Sequence, residues 1–418
     1  MVLKILISVS LLLILIFLRE FSIRNKKSLE MAENLFKKGK VDKVKKILSH
    51  LIKNKNLNEA SKAMSLLGRV YYFENKYEDA TEIFKYIYNM EAAKKIIKMK
   101  SLHFLSLIAE KEEKYDLAIK YAIKFQESKE RTMPVERVVF EKQVFIILAR
   151  CYFYKGDDHK AIECLKKCLD GAIDENDEGR IKMQLGRFYL ELGNYMEAEK
   201  YFEEIEKKSL AKTERTLLNY HLSMLFLGKN DYKSLSRITN EQDFLQGATK
   251  DQFFGLYSSV MADIENGVWN KAKEKSQKIF KIIENLNVDA FYKFFYYTIL
   301  AYYGLAKLEL ANNNLLLAEE NFRKMEVALE KIAEIRFDSF IQRVNINFLK
   351  ILVFDELAEL YYVKKDVKRA KDKIEEIDVI IKNLTEKEKL IIEHKEIGNR
   401  GSVFKKSNIL KMKLNEKD

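Results

Sequence analysis

The sequence predicts an all-α protein built from repeated helix-turn-helix units, and three observations carry that prediction. Helix breakers are scarce, with one proline, Pro134, and 14 glycines among 418 residues, while the abundant Lys, Leu, Glu and Ile favour helix. The chain is longer than one hydrophobic core usually organises, so it must grow by further domains or by repetition. A short residue pattern also returns along the chain at a spacing that suits a pair of helices.

The first element is apolar. Ile5 to Leu18 carries no charge, and these 14 residues make about 21 Å of helix, against about 30 Å for a bilayer core. Val2, Leu3, Phe21 and Ile23 extend the apolar character, and Lys4 and Arg19 can snorkel outward. Arg-Glu-Phe-Ser-Ile-Arg follows where a cleavage site would want small residues. The reading is an uncleaved transmembrane anchor over residues 1–23. Arg19, Arg24, Lys26 and Lys27 outnumber Lys4 and the α-amine, which favours the cytoplasmic side for the body of the protein; the extracytoplasmic side is the alternative.

Next come the repeats. Leu67-Gly68-Arg69-Val70-Tyr71, Leu148-Ala149-Arg150-Cys151-Tyr152 and Leu185-Gly186-Arg187-Phe188-Tyr189 superimpose. Four residues after each tyrosine stands a turn residue, Asn75, Gly156 or Gly193, and five later an alanine, Ala80, Ala161 or Ala198. Phe84, Leu165 and Phe202 follow four residues beyond. The alanine slot recurs at Ala118, Ala272, Ala318 and Ala370, with Val44 and Leu235 standing in for it. The second helices should open at Val41, Tyr77, Tyr115, Tyr195, Tyr232, Trp269, Leu315 and Val367. About nine units result, within residues 24–384, and the two widest spacings hold longer helices rather than loops. Residues 385–418 read as a capping helix and a basic, disordered tail from Gly398.

This pattern resembles the tetratricopeptide repeat, L-G-x-x-Y, a short turn, Y-x-x-A and then F. The resemblance implies a right-handed solenoid in which Gly68, Tyr71, Ala80, Ala118, Ala161, Gly186, Tyr189, Ala198, Ala272, Ala318 and Ala370 pack the helices together. It also implies that the first helix of each pair lines a concave groove for peptides. That register assigns Lys62, Arg69, Lys100, His103, Arg150, Arg180 and Arg187 to a basic stretch of groove. Tyr220, Met224, Tyr257 and Met261 take equivalent places further on. One reading is a site for an acidic peptide with an apolar anchor. The other is that the arginines pair with Glu on neighbouring helices while Met and Tyr fill gaps. The asparagines of the family's chaperone-tail clamp are missing from this face.

No enzyme motif is found: no glycine-rich phosphate loop, no G-x-S-x-G and no H-E-x-x-H. The histidines His50, His103, His159, His221 and His394 are scattered. Cys164 and Cys168 sit four apart with Cys151 nearby, and a zinc site would need further ligands. Neither catalytic residues nor a metal, a cofactor or a small-molecule substrate is therefore expected. The net charge of +12 is spread over interleaved acidic and basic residues, which does not favour nucleic acid. The aromatic run from Phe291 to Tyr297 surrounds a helix and suits a core between repeats. The combined expectation is a non-enzymatic scaffold or adaptor, similar in plan to inner-membrane repeat proteins with an N-terminal anchor, that recruits a protein partner. The alternatives are an exported scaffold of the envelope or of secretion and, more remotely, an enzyme whose site is not recognised.

Overall fold

The computed structural model describes residues 23–53, 57–128, 135–172, 174–206, 210–239, 249–284, 291–333, 339–394 and 403–415. All regular structure among them is helical. The helices follow one another in pairs. Residues 23–37 (α1) precede Val41–Ile52 (α2), and Leu57–Phe73 (α3) precedes Tyr77–Asn89 (α4). Lys95–Lys111 (α5) and Tyr115–Glu127 (α6) come next, then Val135–Tyr154 (α7) and Asp158–Asp170 (α8). Glu175–Glu191 (α9) leads into Tyr195–Glu206 (α10), and Lys212–Lys229 (α11) into Tyr232–Thr239 (α12). The later pairs are Thr249–Glu265 (α13) with Trp269–Glu284 (α14), and Phe291–Ala311 (α15) with Leu315–Ala333 (α16). Phe340–Val363 (α17) and Val367–Asn383 (α18) form the last pair, before Glu386–His394 (α19) and Val403–Asn415 (α20). The chain divides into two compact units between Tyr152 and Phe153.

Each turn inside a pair is built the same way. Two residues before each second helix the backbone is left-handed: Gly39, Asn75, Glu113, Gly156, Gly193, Asn230, Gly267, Asn313 and Lys365 all have positive φ. The next residue's N–H then reaches back to a carbonyl five residues earlier, as Lys76 N does to Tyr71 O and Asn194 N to Tyr189 O. That bond closes the first helix with a Schellman-type cap. Where that same residue is Asp157, Asn194 or Asp366, its side chain accepts a backbone N–H and starts the second helix.

The slot at the fourth residue of each second helix is where the pair closes. Ala80, Ala118, Ala161, Ala198, Ala272, Ala318 and Ala370, with Val44 and Leu235, are all 0% exposed. Across from it, Gly68 lies under the ring of Phe84 and Gly186 under that of Phe202. A methyl group on Gly186 would come within 2.5 Å of the Phe202 ring. Tyr71 and Tyr189 are half-buried. Aromatic rings fill the space between successive pairs, Phe84 stacking on Phe104 at 5.0 Å and Phe153 on Phe188 at 4.1 Å.

In the second unit the Gly156 turn touches distant chain. The Phe340 ring at the start of α17 fills the space beside Gly156, and Lys387 of α19 donates to the Gly156 carbonyl and the Asp158 carboxylate. Burial pushes the Lys387 ammonium below its ordinary range. A plain repeat array touches only neighbours in sequence, so this contact ties together segments some 230 residues apart.

Two expectations change. The membrane assignment is withdrawn, because among the described residues no helix is long and apolar enough to cross a membrane. The uncharged run on which it rested, Ile5 to Leu18, lies outside those residues, and its helical length of about 21 Å falls short of a bilayer core. The cytoplasmic or extracytoplasmic placement of the repeats and the likeness to anchored repeat proteins go with it. The tail expected to be disordered contains α20, where Leu410 and Leu414 are buried and Lys411 pairs with Asp378. Its polar composition hides this i, i+4 leucine pair.

Candidate protein-binding surface

The first helix of a pair carries a recurring position eight residues before the second helix begins. Arg69 on α3, Arg150 on α7, Arg187 on α9 and Lys307 on α15 occupy it, as do Met224 on α11 and Met261 on α13. Their surroundings differ.

In the first unit, the Arg69 guanidinium lies over the Phe36 ring at 5.5 Å. Burial lowers its pKa, and the nearby Glu33 carboxylate partly offsets this. Arg150 is held by two bonds, since its Nε and Nη2 both donate to the Glu110 carboxylate of α5. That pair is largely sheltered, the side chains being 27% and 10% exposed. The Lys100 ammonium lies over the Phe140 ring at 5.5 Å. His103 meets the same ring edge-on at 5.1 Å. It is 3% exposed, neither ring nitrogen has a hydrogen-bond partner, and desolvation pulls its pKa down to about 4. Lys62 is exposed.

In the second unit, α9 carries both Arg180 and Arg187. Arg180 is exposed, 3.5 Å from Glu214. Arg187 is half-buried over the ring of Phe188, and its Nε and Nη2 are shielded from solvent without a hydrogen-bond partner. Tyr220, Tyr257 and Met261 are buried, while Met224 is half-buried. Lys307 stands 3.4 Å from the buried Glu356 carboxylate, to which the Tyr303 hydroxyl donates. The helix α15 covers the aromatic run Phe291 to Tyr297, whose side chains lie outside the described residues.

The sequence pattern of the tetratricopeptide repeat matches residues 143–170, from within α7 to the end of α8, and 179–207, from within α9 through α10. This chain carries tetratricopeptide repeats. Solved structures with the same repeat fold include the apo form of the quorum sensor NprR from B. thuringiensis, 14% identical, with a TM-score of 0.61 over 85% of this chain and 98% of that one. The apo form of RapI is 13% identical, with a TM-score of 0.54 over 86% of this chain and 97% of its own. A Rap protein complexed with competence and sporulation factor is also 13% identical, with a TM-score of 0.50 over 87% and 99%. At these identities the likeness is one of fold. No curated protein matches the sequence.

The two matched tetratricopeptide repeats are the ones that carry Arg150 and Arg187. Sequence reasoning missed Glu110, five residues before α6 begins, which meets the arginine of the following repeat. The same place in the next repeat is Phe153, which offers no carboxylate. Sequence reasoning also passed over Gln184, one turn before Arg187, whose Oε1 is buried without a partner. The signal for Glu110 is a fixed offset between adjacent repeats, visible only once their register is known. Among the described residues no group of His, Cys, Asp or Glu could hold a metal ion. Cys151, Cys164 and Cys168 are buried thiols, with burial pushing the Cys164 thiol up to about 11 and Cys151 higher still.

Proposed function

We propose that this chain is a non-enzymatic adaptor whose tetratricopeptide repeats hold a protein or peptide partner through side chains of their first helices. The observation that carries the reading is the recurrence of a cation at one position of four first helices, α3, α7, α9 and α15, within a repeat fold whose closing contacts are already satisfied by Gly, Ala and Phe. A side chain at that position that is neither buried nor already paired can serve recognition. Two fold neighbours support the reading by what their titles say of them: NprR is a quorum sensor, and a Rap protein was solved with competence and sporulation factor.

The partner surface draws on the accessible members of the sequence-derived set, Lys62, Lys100, Arg180, Arg187 and Met224. An acidic segment suits the cations. Met224 offers its apolar contact, while the buried Tyr220, Tyr257 and Met261 support the helices beneath. A photo-crosslinking residue at Arg180, exposed on a first helix, should trap a discrete protein or peptide from the cells that make this chain. The same residue at Lys166, exposed on a second helix, should trap far less. Equal yields at the two positions, or none at Arg180, would refute the adaptor reading.

A further inference from the structure

Of the four cations at the recurring first-helix position, three have their charge answered. Arg69 lies on an aromatic face near Glu33, Arg150 holds Glu110 in a two-pronged grip, and Lys307 stands by Glu356. Arg187 differs. The edge of its guanidinium formed by Nε and Nη2, the edge that Arg150 turns to Glu110, is dry and without a hydrogen-bond partner among the described residues. Phe153 stands where the preceding repeat would supply the carboxylate. A guanidinium cannot shed its charge in a protein, and charge taken from water without a partner is costly to the fold.

A second unsatisfied group stands beside it. Gln184 lies three residues earlier on α9, and its Oε1 is also buried without a partner. A spacing of three puts both side chains on one face of the helix. This face of α9 therefore offers two donors in need of an acceptor and one acceptor in need of a donor. Apolar packing explains neither.

We propose that Arg187 and Gln184 form a subsite for a carboxylate carried by a protein segment. The carboxylate takes the Nε–Nη2 edge of Arg187, as Glu110 takes that of Arg150, and an adjacent N–H of the segment donates to Gln184 Oε1. Charge complementarity selects the occupant, and the two-pronged geometry distinguishes a carboxylate from a neutral amide. Arg187 is half-buried, so part of its side chain already reaches solvent. This inference rests on the adaptor reading and narrows it to one ligand chemistry, with Arg150 excluded because its fork is taken.

The test selects binders from a displayed library of random decapeptides, with the full chain as bait. Each winner is then synthesised as selected, with its Asp or Glu changed to Asn or Gln, and with its C-terminus amidated. Affinities are measured on the natural chain and on Arg187→Gln, Arg187→Lys and Gln184→Leu variants that melt like the natural chain. Removing one carboxylate should weaken binding about tenfold or more on the natural chain and have little further effect on Arg187→Gln. Arg187→Lys should recover little, because lysine lacks the fork. Whether amidation or the side-chain change produces the loss tells a terminal carboxylate from a side-chain one. Binders indifferent to Arg187→Gln overturn the subsite and leave the adaptor reading standing. A library that yields no binder overturns the adaptor reading, and the subsite with it.

Discussion

Arg150 and Arg187 occupy the same position of consecutive tetratricopeptide repeats and meet opposite surroundings. Arg150 finds Glu110 on the first helix of the preceding repeat and becomes part of the fold; in the repeat before Arg187 that place is Phe153, and the Arg187 fork has no hydrogen-bond partner among the described residues. A repeat position thus fixes where a side chain lies, while a residue one repeat away decides what it does. His103 sharpens the point. It is also buried without a partner, yet it can discard its charge and remain as a neutral aromatic ring, with a pKa near 4. Arginine has no such escape. An unpaired neutral ring is compatible with a packing role, whereas an unpaired permanent charge calls for a ligand.

The largest expected effect tests that distinction at His103. Its folded pKa, about 4, lies below the ordinary 6.5, so the unfolded chain binds the extra proton first as pH falls. The contribution of His103 to stability is therefore fully present above pH 6.5 and is lost as pH drops toward 4. The shift corresponds to about 3 kcal/mol. Urea unfolding followed between pH 7 and 4.5 should show this loss, and His103→Phe should flatten most of it. An unchanged slope in the variant would mean that the ring is hydrated, and the contrast with Arg187 would dissolve.

The repeat frame was legible in the sequence because its determinants are local. Val41, Tyr77, Tyr115, Tyr195, Tyr232, Trp269, Leu315 and Val367 each open a helix, and the fourth residue of each second helix is fully buried. A left-handed turn residue, a capping side chain and a small residue suffice to write that frame, and all three lie within a few positions of one another. Side-chain fates were legible only in outline: pairing of an arginine with a glutamate on a neighbouring helix was one of the two readings, and Arg150 follows it, but the partner could not be named. Glu110 answers an arginine 40 residues away, and His103, read as a groove residue, is buried against a helix that follows it in sequence. The membrane reading rested on the run from Ile5 to Leu18, which lies outside the described residues, and no described helix is long and apolar enough to cross a membrane. The leucine pair of α20 was masked by the lysines around it.

A smaller effect measures the filled fork. Arg150→Met leaves the Glu110 carboxylate, 10% exposed, without its cation, and an unsatisfied charged group of this kind costs about 1–3 kcal/mol. The value should sit toward the low end, since the Arg150 side chain is 27% exposed and solvent screens part of the charge. Changing Glu110 to Met as well should restore much of the loss, because replacing both partners of a sheltered pair by apolar side chains is often nearly neutral. Thermal melts of the two single variants and the double variant supply the cycle. Purely additive losses would show that the two residues do not act as a pair.

The smallest expected effect on stability is the most discriminating, and it falls on Arg187. If its fork is empty, Arg187→Met removes an unpaired charge and keeps most of the apolar stem. What the fold gives up is the contact with the Phe188 ring at 5.2 Å, worth about 0.5–1 kcal/mol at a site with some solvent access. What it gains is relief from a dry edge with no acceptor. The two nearly cancel, so the melting temperature should stay within a degree or two of the natural chain, or rise. Residues kept for binding at the expense of the fold behave in this way, and Arg150→Met, at the same position one repeat earlier, should not. A clear fall for Arg187→Met, matching that of Arg150→Met, would show that Arg187 has a structural partner after all. The two arginines would then be equivalent, and the carboxylate subsite would lose its physical basis.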